Sequence, residues 1–320
     1  MEKIFVSDLK KGHTVETVFL VREKTLAKTK AGVPYLSLRL VDRSGEVEGR
    51  IWENAQDFSP LFEKDEFIKV RAEVDEFQGT PQLRITKLRK LEESEVLLDD
   101  FLPKTSQDID RMFQELKDIA RGVENLFLRR LLESFLSDET FSIPFKLAPA
   151  AKTLHHVYIG GLLEHTHSLV QLILLVGPRY RGVNLDLLTT GGILHDVGKI
   201  EELSFRRSFE YTDAGRLLGH IIITTAMVDQ RIQTIPDFPG PLAMELKHIL
   251  LSHHGEYDYG SPKRPKTMEA LLLHHLDDLD AKMNGFWGWI EKEKDLPSRW
   301  TSFHRTFDRF ILKPEEVHSD

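Results

Sequence analysis

The chain has 320 residues, of which 41% are hydrophobic and 29% are charged, and its formal net charge is −8. This length favours two domains, and the balance of residue types is that of an ordinary globular protein. The negative charge excludes a protein that holds nucleic acid through its overall charge, so a polyanion would need a local basic patch or a bound metal.

The sequence carries no mark of a membrane or secreted protein. No stretch approaches the ~18 consecutive apolar residues of a membrane span. The first residues, MEKIFVSDLKKGH, have no apolar core, so we expect no signal peptide. Cysteine is absent, which excludes disulfides, thiolate metal sites and cysteine nucleophiles. We therefore expect a cytoplasmic protein, and the sequence leaves open whether it forms a homo-oligomer.

The first part of the chain has the pattern of a small β-barrel. Strand-like segments surround one short helix-like segment (53–62), at 15–29, 34–42, 46–52, 66–77 and 81–91. Three strands, a helix and two strands is the order of an OB-fold, although other small barrels give similar patterns. Residues 1–91 are therefore predicted to be a five-stranded OB-fold domain.

Aromatic and basic side chains alternate with the apolar positions of this predicted barrel. They are Tyr35, Arg39, Arg50 and Trp52. OB-folds bind single strands by stacking bases on aromatic rings and by pairing phosphates with basic groups. We predict that these four residues contact single-stranded nucleic acid. The alternative is that Trp52 closes one end of the barrel and the arginines are solvated.

An acidic segment containing Pro103, residues 92–108, is predicted to link the barrel to a second domain. Beyond it, apolar residues recur every three or four positions, as in helices. The helical stretches are 109–138, interrupted near Gly122, and 156–176, 186–199, 215–234, 241–254 and 267–283. Residues 109–320 are predicted to be an all-α domain, with an aromatic-rich tail at 285–312 packed over it.

Eleven of the fourteen histidines lie between residues 155 and 275. Imidazole is the commonest metal ligand, and gathering it beside apolar residues is costly unless it binds a cation. The candidate ligands are His165, His195, Asp196, His220, His253, His254 and Asp277. Asp196 can bridge two ions with its two oxygens. Lys199, four residues after His195 on one predicted helix, can reach a phosphate oxygen.

Other polar residues near this set each have two possible roles. Asp280 is expected to orient a ligand or to lie on the helix surface. His274 and His275 are expected to pack or to support the ligands, and His155 and His156 face either substrate or solvent. A loop with Tyr257, Lys263, Arg264 and Lys266 is expected to guide an RNA backbone into the site, or else to be solvated.

The ordered set of His165, the pair His195-Asp196 and Asp277 resembles the signature of HD-domain metal-dependent phosphohydrolases. The additional His220, His253 and His254 resemble the ligands of its two-metal members. The segments HHVYIGGLLEHTHS, LHDVGK and SHHGEYDYGSPKRPKTMEALLLHHLDDLDAKM, preceded by an OB-fold, resemble the YhaM-type 3′→5′ exoribonucleases. The resemblance is dense over 155–283, the expected HD core, and loose over 1–150. His167 stands where this family usually has an apolar residue, and we favour His165 over His167 as the ligand.

The resemblance implies a metal-dependent phosphodiesterase that degrades single-stranded RNA, or single-stranded DNA, to mononucleotides from the 3′ end. Asp196 and Lys199 would carry the catalysis, with two divalent ions per chain. Imidazole-rich coordination favours manganese, iron, cobalt or nickel over magnesium, and the resemblance implies manganese. Two alternatives are a phosphohydrolase of free or cyclic nucleotides, which does not need the barrel, and a non-catalytic nucleic-acid-binding module, which does not need Lys199.

Overall fold

The computed structural model describes residues 3–77, 79–97, 100–151, 158–205 and 210–314. The chain divides into two units, residues 1–104 with 204–210 and residues 105–203 with 211–320. His155 and His156, expected to face substrate or solvent, lie outside the described residues. No helix in the described ranges combines the length and the apolar character that crossing a membrane requires.

The first unit is a closed five-stranded barrel. Its strands are β1 (Thr14–Lys28), β2 (Pro34–Asp42), β3 (Gly45–Ile51), β4 (Phe67–Phe77) and β5 (Thr80–Leu91). Their order around the barrel is β1-β2-β3-β5-β4, and only β3 and β5 pair in parallel. Helix α1 (Ala55–Phe58) and a 3-10 turn, Ser59–Leu61, connect β3 to β4. The predicted OB-fold is confirmed.

Apolar residues alternate with more exposed ones along the strands, and the apolar side chains form the core of the barrel. Leu36, Leu38 and Leu40 on β2 are at most 1% exposed, and burying each such side chain contributes about 1.5–3 kcal/mol. Gly49 on β3 faces this core, where a Cβ would lie 2.9 Å from Cδ1 of Ile85. A glycine is therefore needed at this position, where β3 packs directly against the filled interior of the barrel.

The predicted connector, residues 92–108, is partly packed onto the barrel. Phe101 is 3% exposed and its ring centroid lies 4.8 Å from that of Phe67. Leu102 is also buried. The acidic composition of this segment predicted a linker. It did not indicate that Phe101 and Leu102 are buried, which is favourable because both side chains are apolar.

The second unit is helical. Its helices are α2 (Ile109–Gly122), α3 (Leu126–Leu136), α4 (Glu139–Leu147), α5 (Gly161–Val176), α6 (Leu185–Leu194), α7 (Lys199–Glu202), α8 (Asp213–Leu217), α9 (His220–Gln233), α10 (Gly240–Ser252) and α11 (Met268–Lys292). Two-residue strands β6 (Leu203–Ser204) and β7 (Glu210–Tyr211) pair between α7 and α8. The predicted all-α character of this region is confirmed, apart from this short strand pair.

Helix α6 lies at the centre of the helical unit. Asn184 caps it by accepting a hydrogen bond from the backbone N–H of Leu187, and a cap of this kind is worth about 1 kcal/mol. Every residue from 187 to 194 is buried. At Gly192 a Cβ would lie only 2.4 Å from Cδ1 of Ile173 on α5. The glycine lets α5 and α6 approach closely, which brings the residues that follow α6 next to those of α5.

The structure changes the bounds of two predicted segments. The stretch 186–199 is not one helix, because α6 ends at Leu194 and α7 begins at Lys199. The predicted tail at 285–312 is helical up to Lys292, as part of α11. The rest of the tail packs on α11, where the ring of Phe307 lies 4.6 Å from that of Phe286.

Candidate metal centre

Five elements of the helical unit bring all the predicted ligands together. They are α5 with His165, the turn after α6 with His195 and Asp196, the first residue of α9, His220, the end of α10 with His253 and His254, and α11 with Asp277. The side chains form two adjacent groups, and in each group of three the candidate ligand atoms lie within 4.8 Å of one another.

The first group consists of His165, His195 and Asp277. Nε2 of His165 lies 3.2 Å from Nε2 of His195 and 3.1 Å from Oδ1 of Asp277. Nε2 of His195 lies 3.8 Å from the same carboxylate oxygen. Ligands that share an ion at bond lengths of about 2.0–2.2 Å are separated by distances of this size.

The second group consists of His220, His253 and His254. The ring of His253 lies 4.4 Å from that of His254 and 5.8 Å from that of His220, measured between centroids. His253 is fully buried, and the other two are half-buried. This group contains only nitrogen ligands, so a ligand that carries negative charge must come from a neighbouring residue.

Asp196 lies between the two groups and turns one oxygen toward each. Its Oδ2 is 3.2 Å from Nε2 of His195. Its Oδ1 is 3.4 Å from Nε2 of His220 and 3.6 Å from Nε2 of His253. The carboxylate is 3% exposed, so its charge must be balanced by groups around it.

Three buried polar atoms converge here without a hydrogen-bond partner among the described residues. They are Oδ1 of Asp196, Nε2 of His220 and Nε2 of His253. An unsatisfied buried polar atom costs about 1–3 kcal/mol. A carboxylate oxygen and two imidazole nitrogens that share one space are a donor set for a divalent cation. These residues therefore fit a bound divalent metal.

The second ring nitrogen of every candidate histidine is held by an oxygen. Three donate from Nδ1 to backbone carbonyls: His195 to Gly192 at 2.9 Å, His253 to Leu250 at 2.8 Å and His254 to Tyr259 at 2.9 Å. A proton fixed on Nδ1 leaves the lone pair of Nε2 free to bind a cation. The backbone thus selects the tautomer that a metal needs.

Two of the histidines are held by buried carboxylates instead. Nδ1 of His165 lies 2.8 Å from Oδ2 of Asp280, whose other oxygen accepts a hydrogen bond from Ser168. Nδ1 of His220 lies 3.1 Å from Oε1 of Glu202, which also accepts the backbone N–H of His220 at 3.0 Å. Glu202 was not among the residues predicted from the sequence. Glu201 and Glu202 are adjacent in the sequence, and no local signal indicates which of the two is buried.

The cluster shifts the pKa values of its members in opposite directions. Burial opposes a charge on His165, but the carboxylates of Asp277 and Asp280 outweigh it and raise its pKa to about 10. Burial also opposes the charge of Asp196, yet His195 and Lys199 hold its pKa well below the usual range.

On the other side of Asp196, His254 stays neutral. Its burial, together with its neighbours His253 and His220, lowers its pKa to about 4. Burial likewise lowers the pKa of His253. Metal ligation needs unprotonated imidazole, so these two histidines meet that need at neutral pH, whereas a cation must displace a proton from His165.

Lys199 forms an ion pair within the cluster, and its predicted position needs correction. It does not share a helix face with His195, because the chain turns between α6 and α7. Its Nζ lies 2.6 Å from Oδ2 of Asp196. Burial lowers the pKa of the Lys199 ammonium, but its interactions with Asp196 outweigh burial and raise this pKa overall. Lys199 is therefore a charged group at the edge of the carboxylate that faces both histidine groups.

His167 lies apart from the cluster. Its Nε2 is 2.7 Å from Oε2 of Glu115 on α2, whereas His165 on the same helix lies in the first group. His274 donates from Nδ1 to the backbone carbonyl of His253 at 2.9 Å. It packs so closely on Gly255 that a Cβ there would lie 2.2 Å from the imidazole.

On the barrel, the predicted aromatic pair forms an exposed platform. The rings of Tyr35 and Trp52 stack with centroids 4.8 Å apart and an interplanar angle of 27°. The guanidinium of Arg50 lies 5.2 Å from the centroid of Tyr35. Trp52 remains 45% exposed. Flat, exposed aromatic rings of this kind can stack on nucleobases.

The predicted arginines of the barrel are less available to bind a nucleic acid than the aromatic rings are, because they already form ion pairs. Arg39 lies 3.4 Å from Glu23 and 3.5 Å from Glu46. Arg50 pairs with Glu48 on the same strand. These carboxylates neutralise the arginines in the free protein, so a phosphate would have to compete with them.

The loop after α10 carries the other predicted contacts. Nη2 of Arg264 lies 2.7 Å from Oε2 of Glu256, and its guanidinium covers the ring of Tyr257 at 5.1 Å. The backbone N–H of Lys263 donates to the carbonyl of Leu251. In the described part of the chain, the ammonium of Lys263 has no carboxylate partner.

Two family models match the chain, one for each type of domain. The model of the HD domain matches residues 162–282. The model of an OB-fold nucleic acid binding domain matches residues 19–91. An HD domain implies dependence on a divalent metal, which agrees with the histidine and aspartate groups of this site.

Curated relatives resemble the chain over nearly its whole length. The 3′-5′ exoribonuclease YhaM of Geobacillus sp. is 33% identical over 305 residues, 95% of this chain and 93% of that protein. The protein of the same name from Bacillus subtilis is 32% identical over 307 residues, 95% of this chain and 96% of its own length. That of Oceanobacillus iheyensis is 34% identical over 282 residues, 88% of each chain. The chain belongs to the YhaM family of 3′-5′ exoribonucleases, in which an OB-fold domain precedes a metal-dependent HD domain.

Proposed function

We propose that the chain hydrolyses single-stranded RNA one nucleotide at a time from the 3′ end, with two divalent cations held on either side of Asp196. The observation that carries this proposal is the position of that carboxylate. One oxygen lies 3.2 Å from His195 and the other 3.4 Å from His220. A carboxylate shared by two histidine groups is the arrangement that a two-ion phosphodiesterase needs.

The ligands divide between the two ions. One would be held by His165, His195 and Asp277, the other by His220, His253 and His254, with Asp196 shared between them. Bound cations would activate the attacking water and neutralise the charge that develops at phosphorus. Five imidazoles favour manganese, iron, cobalt or nickel over magnesium, and we propose manganese.

The chain's own residues perform the remaining tasks. Hydrogen bonds at Nδ1 hold the imidazoles in one orientation, which reduces the rearrangement needed on substrate binding. The ammonium of Lys199 lies 2.6 Å from Asp196. With the charge of Asp196 balanced by bound cations, Lys199 would be able to neutralise a non-bridging phosphate oxygen. Asp196 and Lys199 are thus the proposed catalytic residues.

The barrel, a domain separate from the one that holds the metal ligands, would supply further binding of the strand. Tyr35 and Trp52 form a stacked pair of rings on which bases of a single strand can stack. Arg39 and Arg50 would exchange their carboxylate partners for phosphates. In this proposal residues 1–91 bind RNA, residues 109–320 hydrolyse it, and the enzyme acts in the cytoplasm.

The direct test uses single-stranded RNA labelled at its 5′ end and protein loaded with manganese. We expect products that shorten stepwise from the 3′ end, with release of mononucleotides. Asp196→Asn, which keeps the size of the side chain but removes its charge, should abolish this shortening. Release of inorganic phosphate from free nucleotides, with intact RNA, would instead indicate a nucleotide phosphohydrolase. Binding of RNA without either product would indicate a non-catalytic module.

A further inference from the structure

A small cavity lies on the solvent face of α10. It has a volume of about 480 Å³ and is lined by Met244, Lys247, His248, Leu251, Lys263 and Lys266. The helical residues recur at spacings of four and three, so one side of α10 faces the cavity.

The opposite side of α10 faces the core and the metal centre. Leu246, Ile249 and Leu250 on that side are fully buried. His253 follows Leu246 by seven residues and Leu250 by three, which places it on the same side of the helix. The cavity and the metal centre therefore lie on opposite sides of α10.

Two of the three lysines in this cavity carry an unneutralised charge. Nζ of Lys247 lies 2.8 Å from Asp229. Lys263 and Lys266 have no carboxylate partner within the described ranges. The chain as a whole carries a net charge of −8. Two free ammonium groups make this cavity locally positive, and a positive cavity favours an anionic ligand.

The floor of the cavity is apolar and suits a flat ring. Met244 is 66% exposed, and its flexible thioether can adapt to an aromatic surface. Nε2 of His248 accepts the backbone N–H of Lys266 at 2.9 Å. Burial and the charge of Lys266 lower the pKa of His248, so its ring is neutral. An apolar floor with a neutral imidazole and a cationic rim matches a nucleobase together with its phosphate.

The loop between His253 and Lys266 joins this cavity to the metal centre. Hydrogen bonds from His254 to the carbonyl of Tyr259 and from Ser261 to the carbonyl of Lys263 hold it in shape. Tyr257 and Tyr259 are 61% and 64% exposed along the way. These exposed rings offer stacking surfaces on the loop that connects the metal centre to the cavity.

We propose that the cavity is a remote subsite for a nucleotide of the RNA substrate, several positions to the 5′ side of the bond that is cleaved. The base would lie on Met244 and His248, and its phosphate would pair with Lys263 and Lys266. This inference rests on the proposed function. It adds a consequence of its own: only substrates long enough to cross the loop can use the subsite.

The test compares KM for a series of oligoribonucleotides, from the dinucleotide upward, in the manganese-loaded enzyme. We expect KM of the unaltered enzyme to fall once the substrate is long enough to reach the cavity. Lys266→Gln and Met244→Glu should each remove most of this fall. For long RNA, Lys266→Gln should also reduce the slope of log KM against log salt by about 0.7, the value for one phosphate contact on a single strand. Arg130→Gln, which removes a charge from an exposed position of α3, is the control and should match the unaltered enzyme.

The outcomes separate this inference from the function on which it rests. If the unaltered enzyme shortens no RNA, the proposed function is wrong. If it is active but KM does not depend on substrate length, or if both cavity variants match Arg130→Gln on long RNA, the subsite does not exist. Equal losses on the dinucleotide and on long RNA would also contradict the inference, because they would show that the cavity supports the fold of the catalytic unit.

Discussion

At the scale of single residues, the histidines of the metal centre are oriented in two ways. Three donate to backbone carbonyls, whereas His165 and His220 are held by the carboxylates of Asp280 and Glu202. A carboxylate behind an imidazole fixes its tautomer and makes it a stronger ligand. The spacing of one helical turn between Asp277 and Asp280 allowed Asp280 to be considered from the sequence, but Glu202 reaches His220 only through the fold.

Asp280→Asn and Glu202→Gln should therefore weaken metal binding about 10- to 100-fold, the usual effect of removing such a partner. Titration calorimetry with manganese measures this change. Asp278→Asn is the matched control for Asp280→Asn, because Asp278 lies on the same helix and its one ion pair within the described residues is with the exposed Lys282. If both variants bind manganese as tightly as Asp278→Asn does, these carboxylates do not act on the metal.

Metal binding should also depend on pH in a defined direction. The pKa of His165 is raised to about 10, so its proton must leave before Nε2 can bind a cation. As long as the pH is below this pKa, the affinity of His165 for a metal should increase about tenfold for each unit by which the pH is raised, because one proton competes with the ion. Calorimetry at pH 7 in two buffers with different ionisation heats should detect the release of at least one proton per chain. Binding without proton release would contradict this account of His165.

At the scale of secondary structure, the local periodicity of apolar residues predicted most elements correctly, but it did not predict the end of α6. Strand alternation and helical spacing predicted the five barrel strands and the main helices, because these patterns are set by neighbours in the sequence. The helical pattern of TTGGILHDVGK continues past Leu194, where the structure turns. The backbone N–H of Gly198 donates to Oγ1 of Thr224 on α9 at 2.8 Å, a contact between residues distant in the sequence.

Gly198→Ala should test this contact. A Cβ at Gly198 would lie 2.5 Å from the carbonyl oxygen of His220 and 2.6 Å from the backbone nitrogen of Thr224. Because backbone atoms cannot move aside, we expect a loss of about 1–3 kcal/mol of folding stability and weaker metal binding. Gly122→Ala is the control, since nothing lies within 4 Å of its Cβ. Thermal unfolding of both variants measures the difference, and equal stability would show that the turn does not depend on Gly198.

At the scale of the whole molecule, an acidic chain has to bind an acidic polymer. The net charge of −8 cannot attract RNA, so we propose that local features such as the rings of Tyr35 and Trp52 bind it. The sequence predicted these aromatics from strand alternation. It could not predict that Arg39 pairs with Glu23 and Glu46, because those contacts depend on which strands are neighbours in the barrel. The partner of Arg50 is Glu48, two residues earlier on the same strand.

Trp52→Ala should raise KM for long RNA by the loss of one stacked base, worth about 1–3 kcal/mol. Turnover of a dinucleotide should change far less, because a dinucleotide held at the metal centre leaves no further bases to stack on the barrel. Steady-state kinetics on both substrates measures the effect. Trp287→Ala, at a comparably exposed tryptophan of α11, controls for the loss of an aromatic side chain. Equal losses on long and short substrates would contradict a binding role for Trp52.

The number of ions bound per chain shows whether Asp196 joins two metal sites. Elemental analysis of the manganese-loaded protein should give two ions per chain. His220→Ala should retain about one ion, stay folded, and lose RNA hydrolysis, because only the group with His165, His195 and Asp277 remains complete. One ion in the unaltered protein would contradict the two-ion account. So would an unchanged metal content in His220→Ala with a lower melting temperature, which would show that His220 only packs in the core.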